Sequence, residues 1–163
     1  MKHMRTTATL AIFSVLAFIG FVALLTPLKA FAEDDGAGRT GSVYVITVND
    51  SGGNFASRGV IALHADRTMS VTDSGQGGPV FFFTSQLGSW KPAGTGTILA
   101  KTIDFDYPPN AAVARVDYTI SIAPGGAHIA GTITLTTFPL QGDPLGGGGT
   151  VVGTFTFTGN RVQ

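Results

Sequence analysis

Cysteine is absent from this chain of 163 residues, and charged residues make up only 12% of it. Without cysteine the chain can form no disulfide, no thiolate zinc site, no cysteine nucleophile and no lipidated cysteine anchor. The ten basic and ten acidic residues balance and are scattered, whereas binding to nucleic acid requires a cluster of basic residues. The histidines lack metal-ligand spacings and no phosphate-binding loop is present, so the sequence predicts no metal and no cofactor.

The first 32 residues differ from the rest and predict an export signal. Lys2 and Arg5 precede an apolar run over 10–25, and an A-x-A pattern ends at Ala32. A basic start, an apolar stretch and a small-residue cleavage site are typical of a signal helix that is removed after Ala32. The alternative is an uncleaved anchor helix, although the apolar run is shorter than the ~20 residues of a membrane span. We therefore expect a signal peptide at 1–32, no membrane span after cleavage, and a secreted, periplasmic or cell-envelope protein.

Removal of the signal changes the charge of the chain. It takes away three of the ten basic residues, Lys2, Arg5 and Lys29, and no acid, so seven basic residues face ten acidic ones and the net charge becomes −3. Residues 33–41 are polar and rich in glycine, and they predict a flexible leader. Residues 42–163 then form one domain that is long enough to bury a core.

Beyond residue 41, runs of Thr, Val, Ile and Phe alternate with Gly, Pro, Asn and Asp, a pattern typical of strands joined by turns. Eight strands are predicted, at 42–48, 58–64, 68–73, 81–84 with an optional extension to 90, 97–107, 113–123, 128–138 and 150–161. The links between them are short, and short links join antiparallel neighbours. The chain is therefore expected to form an antiparallel meander.

The last four strands alternate between apolar and polar side chains, which predicts one buried face and one wet face. The predicted buried face collects Ile103, Phe105, Tyr107, Val116, Tyr118, Ile120, Ile122, Ile129, Ile133, Leu135, Phe155 and Phe157. Closing such a sheet on itself covers the apolar face and removes the edges. We predict an all-β, up-and-down barrel of about eight strands, with a β-sandwich as the alternative.

Several stretches resemble a group of exported bacterial small β-barrel proteins whose function is uncharacterised. They include Leu63–Thr68, Phe83–Lys91, Ala114–Tyr118 and Gly153–Arg161, and the similarity extends over nearly all of the chain after the signal. The architecture that this resemblance implies is similar to calycin-like barrels, such as the lipocalins, and to the barrel of allene oxide cyclases. The resemblance supplies no catalytic residues.

The densest group of charges is Asp104, Asp106, Arg115 and Asp117. If the two strands pair so that the numbers of facing residues add up to 221, Asp106 lies opposite Arg115 and Asp104 lies opposite Asp117. Residues that face each other in this way are close enough to interact. We expect an ion-pair network on the exterior of the barrel. The alternative is an interior site, in which paired acids beside an arginine could perform acid–base chemistry or bind a cation.

The favoured function is a binding protein that holds a small hydrophobic molecule inside the barrel. Tyr107 and Tyr118 would supply polar contacts, and Phe105, Phe155 and Phe157 would form the walls. Trp90, the only tryptophan, either contributes to the same site or packs in the core.

Two other functions remain open at the level of sequence. An isomerase or cyclase would use the same apolar cavity and would need a carboxylate or histidine inside it. An envelope interaction protein would have no cavity and would use Phe81–Phe83 or the loop Gly146–Gly149 as a contact surface. An enzyme is the less favoured interpretation.

Overall fold

The computed structural model describes residues 41–76 and 82–163, and the strands in these ranges form a closed barrel. The strands are β1 (Ser42–Asn49), β2 (Phe55–Leu63), β3 (Thr68–Asp73), β4 (Gln86–Gly94), β5 (Thr97–Asp106), β6 (Ala112–Ile122), β7 (His128–Phe138) and β8 (Thr150–Arg161). The predicted signal peptide, nearly all of the predicted leader and Phe81 lie outside the described residues.

Each strand pairs in antiparallel fashion with the next strand along the chain, and β1 pairs with β8 to close the sheet. The closing pairs run from Tyr44 opposite Arg161 to Asn49 opposite Thr156. This closure confirms the predicted up-and-down barrel of eight strands, and it excludes the β-sandwich.

The fourth strand lies further along the chain than the predicted core of 81–84. It begins at Gln86, and Phe83 forms only an isolated bridge to Asp106. The strand contains Gly88 and Pro92, residues that normally disfavour strands. Gly88 is nevertheless required, because a Cβ there would overlap the backbone carbonyl of Lys101 on the adjacent strand.

The predicted alternation is confirmed on β6, β7 and β8. Val116, Tyr118 and Ile120 on β6 are buried, and their neighbours on β7 and β8 share the interior face in the observed register. The buried core contains Tyr44, Ile46, Val48, Ile61, Leu63, Met69, Val71, Trp90, Ile98, Ala100, Val116, Tyr118, Ile120, Ile129, Ile133 and Phe157. The interior is thus largely apolar, and both halves of the chain contribute to it.

On β5 the predicted facing is wrong. The observed pairs place Asp104 opposite Ala114 and Lys101 opposite Asp117, so facing positions sum to 218 rather than 221. A register shift by an odd number of residues turns every side chain of a strand to the other face of the sheet. Ile103 therefore shares the exterior face with Arg115, and Asp104 faces the interior.

Lys101 explains why the observed facing is favoured. On a strand, every second side chain points to the same face, so Lys101 shares a face with Ile103 and Phe105. Turning those two residues inward would therefore also bury Lys101 in the middle of the barrel. A charged group buried without a partner is costly, and in the observed register Lys101 is instead on the exterior, where its Nζ pairs with Asp117. The observed register instead buries Ile98 and Ala100, and burial of a side chain the size of Ile98 contributes roughly 1.5–3 kcal/mol.

Gly131 on β7 marks the tightest packing in the second half of the barrel. A Cβ at this position would overlap the carbonyl oxygen of Thr119 and lie 2.9 Å from ring carbons of Phe157. Phe157 is opposite Gly131 in the register and is buried. The glycine therefore leaves the space that the aromatic ring occupies.

We predict that Gly131→Ala lowers the free energy of unfolding by several kcal/mol, because backbone and ring must both move to accept the methyl group. Urea denaturation followed by circular dichroism measures the change. Gly147→Ala is the matched control, since a Cβ there meets nothing within 4 Å, and it should change stability by no more than about 0.5 kcal/mol. Equal stability of the two variants would contradict the packing described for β7.

Candidate functional site

The two ends of the barrel differ in chemistry. At the end that carries the turns 64–67 and 123–127, the indole Nε1 of Trp90 donates a hydrogen bond of 3.2 Å to the carbonyl of His64. The hydroxyl of Tyr44 likewise donates to the carbonyl of Gly126 at 3.0 Å. Two buried aromatic rings with satisfied polar atoms thus pack this end, which we call the closed end.

Polar side chains face the interior toward the opposite end, where β3 and β5 finish and β4 and β6 begin. Gln86 Oε1 accepts two hydrogen bonds, from Thr102 Oγ1 at 2.9 Å and from the hydroxyl of Tyr118 at 2.6 Å. All three residues are buried. We call this region, formed by Asp73, Gln86, Thr102, Asp104, Asp106 and Tyr118, the polar end.

Asp104 is the most unusual residue of the polar end. Its side chain faces the interior and is only 3% exposed, and its Oδ1 atom has no hydrogen-bond partner among the described residues. Burial, followed by repulsion from Asp106, raises the pKa of Asp104 to about 7. A buried polar atom without a partner costs free energy, and native structures contain few of them.

Two more carboxyl groups face the same end. Asp106 is half-buried, and burial raises its pKa as well. Asp73 is held in place, because its Oδ2 accepts from Ser57 Oγ at 2.7 Å and its Oδ1 accepts from the backbone of Gly75 at 2.7 Å. The interior of the barrel is therefore acidic at this end.

The hydroxyl of Tyr118 is held as a hydrogen-bond donor. Burial, and then the nearby carboxylates of Asp104 and Asp73, raise the pKa of Tyr118 above its usual value. Its ring meets the ring of Phe157 edge to face, with centroids 6.3 Å apart. Tyr118 thus joins the polar end to the apolar core.

The four residues of the predicted charged cluster lie on two different faces of the barrel. The predicted exterior network is therefore wrong for Asp104 and Asp106. Asp104 and Asp106 face inward, whereas Arg115 and Asp117 face outward. On the exterior Lys101 replaces the two acids, and its Nζ lies 2.8 Å from Asp117 Oδ1. The physical cause is the odd register shift on β5.

Arg115 holds the long loop between β7 and β8 against the outside of the barrel. Its Nε lies 2.8 Å from Asp117 Oδ2, and its Nη1 donates to the carbonyls of Pro144 and Gly146 at 3.0 and 3.3 Å. The guanidinium also lies over the ring of Phe138, 5.3 Å from its centroid. These contacts give Arg115 a structural role on the exterior.

The structure separates the six residues that the sequence predicted as a ligand site. Tyr118 and Phe157 face the interior and are buried, and Phe155 is half-buried on the same face. Phe105 and Tyr107 are 50% and 54% exposed. Their predicted place inside the barrel is therefore wrong. Phe105 lies on the exterior face of β5 near the polar end, Leu87 lies on the same face of the adjacent β4, and Tyr107 directly follows β5.

Trp90, the sixth predicted residue, packs in the core beside the closed end, which corresponds to the second interpretation that the sequence left open. Within the predicted aromatic contact segment, Phe82 is 49% exposed and Phe83 is half-buried.

The alternation in the sequence did not identify Gln86, Thr102 and Asp73 as members of the candidate site. Gln86 and Asp73 lie at the boundaries of strands, where alternation gives little information about facing. The position of Lys101 could have identified Thr102. A lysine in the middle of a strand favours the exterior face, and its neighbours in sequence then point to the interior.

Within 41–76 and 82–163, no group of three or more His, Asp or Glu side chains is arranged to hold a metal ion. No helix in the same ranges has the length and hydrophobicity of a membrane-spanning segment. Comparisons with protein-family models, with curated proteins and with solved structures found no match to this chain.

We predict that Asp104→Asn stabilises the protein above pH 7 and has little effect near pH 4. A carboxyl whose pKa is raised on folding destabilises the fold as it ionises, so the loss begins above its ordinary pKa of about 4 and is complete once the pH passes about 7. The size of the effect is on the order of 4 kcal/mol, from a shift of roughly three pKa units.

Urea denaturation of both proteins between pH 4 and pH 8.5 measures the difference in unfolding free energy. The matched control is Asp117→Asn, which removes a carboxylate on the exterior beside Lys101 and Arg115. This control should lose no more than about 1 kcal/mol and should show no gain at high pH. A constant difference between Asp104→Asn and the wild type across this range would contradict the burial of the Asp104 carboxyl.

Proposed function

We propose that this chain is an exported binding protein that holds a small hydrophobic ligand inside its barrel, with the polar group of the ligand at the polar end. The observation that carries the proposal is the buried Oδ1 atom of Asp104, which has no partner among the described residues. Buried polar atoms are normally satisfied, and a ligand inside the barrel would satisfy this one.

The chemistry around Asp104 supports a ligand that is mainly apolar. Next to the three polar side chains of Gln86, Thr102 and Tyr118 lie the buried rings and aliphatic groups of the core, including Phe157 and Val116. Ligand sites generally combine such apolar walls with a few fixed polar groups. Kinship with calycin-like barrels is part of the same proposal, since a closed meander of eight strands is the architecture that the resemblance implies.

A neutral fluorescent probe, N-phenyl-1-naphthylamine, tests the proposal. We expect saturable binding at micromolar concentration, seen as increased probe emission, because apolar walls exclude water from the probe. Thr137→Phe should weaken binding at least tenfold, because Thr137 is half-buried and faces inward opposite Ala114 near the polar end.

Thr132→Phe is the matched control on the same strand. Thr132 is exposed and faces outward opposite Thr119, so its substitution should leave probe affinity unchanged. Absence of saturable binding to the wild-type protein, or equal loss in both variants, would overturn the proposal of an interior site.

An isomerase or cyclase is the second candidate, favoured by one specific observation. Asp104 is an interior carboxyl whose pKa is raised to about 7 by burial, and general acids and bases work best with a pKa near the operating pH. Native mass spectrometry of protein purified from its producing cells would identify a co-purified molecule. Return of that molecule unchanged after incubation supports binding, whereas conversion that Asp104→Asn abolishes supports the enzyme.

Export is tested separately. Expression of the full chain in a bacterial host, followed by intact mass measurement of protein from the periplasm or medium, should give a product that begins at Glu33. A product that retains residues 1–32 and stays with the membrane would support the uncleaved anchor instead.

A further inference from the structure

Among the described residues, the charged side chains that face the interior at the polar end are all acidic. Asp73, Asp104 and Asp106 face the interior there. Asp73 already accepts hydrogen bonds from Ser57 and Gly75, but Oδ1 of Asp104 has no partner among the described residues. An arrangement of buried acids normally includes a cation or a proton that compensates it.

Among the described residues, no basic side chain faces the interior at this end. Lys101 and Arg115 are engaged with Asp117 on the exterior. Arg58 lies on the exposed side of β2, opposite Thr47. The other basic residues in 41–76 and 82–163 are Lys91, which is exposed on β4, and Arg67 and Arg161, which lie toward the closed end.

This distribution of charge discriminates between classes of ligand. A carboxylate, such as that of a fatty acid, would be repelled by the three acids. A neutral alcohol could donate one hydrogen bond to Asp104 but would leave the negative charge uncompensated. A protonated amine would donate hydrogen bonds and neutralise charge in a setting of low dielectric, where such a pair is strong.

We propose that the ligand of the barrel is a small apolar molecule that carries a protonated amine, with its ammonium group against Asp104 and its apolar part along Tyr118 and Phe157. The proposal rests on the interior site of the proposed function and specifies its ligand class. The edge-to-face pair of Tyr118 and Phe157 supplies an aromatic wall next to the acids, and aromatic rings also attract cations.

Three probes with the same aromatic body test the charge preference: 1-naphthylmethylamine, 1-naphthalenemethanol and 1-naphthoate. Isothermal titration calorimetry at pH 7.5 with the wild-type protein should give an amine affinity at least tenfold higher than that of the alcohol, and the weakest binding for the carboxylate. An amine that binds no more tightly than the alcohol, including the case in which neither binds, overturns the inference.

Variants identify the residue responsible. Asp104→Asn should weaken binding of the amine at least tenfold and change that of the alcohol by less than threefold, because the amide keeps the shape but not the charge. Asp117→Asn on the exterior should change neither affinity. Equal amine affinity in the wild type and in Asp104→Asn would overturn the assignment to Asp104.

The outcomes separate this inference from the proposed function. If N-phenyl-1-naphthylamine binds and Thr137→Phe weakens its binding, the interior site is supported, regardless of how the amine, the alcohol and the carboxylate rank in affinity. If that neutral probe does not bind, the proposed function fails and the ligand class fails with it. The comparison among probes uses the wild-type protein, so it does not depend on whether a variant folds.

Discussion

Closure of the sheet between β1 and β8 is the constraint on which the interior of this protein depends. Once both edges are paired, each strand has one face inside and one outside, and no strand can change its register alone without breaking the ladder on both sides. Facing is therefore decided for the barrel as a whole rather than strand by strand. A residue that is unfavourable inside is tolerated when burial of the other side chains on its strand contributes more stability than that residue costs.

Asp104 is such a residue. Its strand buries Ile98 and Ala100 and keeps Lys101 outside, where the ammonium pairs with Asp117. The opposite facing would bury an ammonium in the middle of the barrel in place of a carboxyl nearer to its end. The barrel thereby acquires an interior acid as a consequence of its packing, and that acid is the group on which the proposed ligand chemistry is built.

The two ends of the barrel differ in how their buried polar atoms are satisfied. At the closed end Trp90 and Tyr44 pack with their polar atoms satisfied by backbone carbonyls. At the polar end the side-chain oxygen of Gln86 accepts two hydrogen bonds, whereas Oδ1 of Asp104 has no partner among the described residues. Outside the barrel, Arg115 anchors the β7–β8 loop without contributing to the interior. Residues that looked like one cluster in the sequence therefore serve two separate regions.

The alternation and turn residues of the sequence predicted the all-β class, about eight strands and the inward faces of β6, β7 and β8, because period-two alternation over ten or more residues has one favourable orientation. The candidate site was only partly predictable: the inward facing of Tyr118, Phe155 and Phe157 followed from alternation, whereas Phe105 and Tyr107 are exposed. Apolar residues occur on both faces of β5, so its local pattern was ambiguous. Which face of β5 points inward depends on the assembled barrel, since the pairing of Lys101 with Asp117 and the burial of Ile98 are contacts between strands rather than properties of one strand.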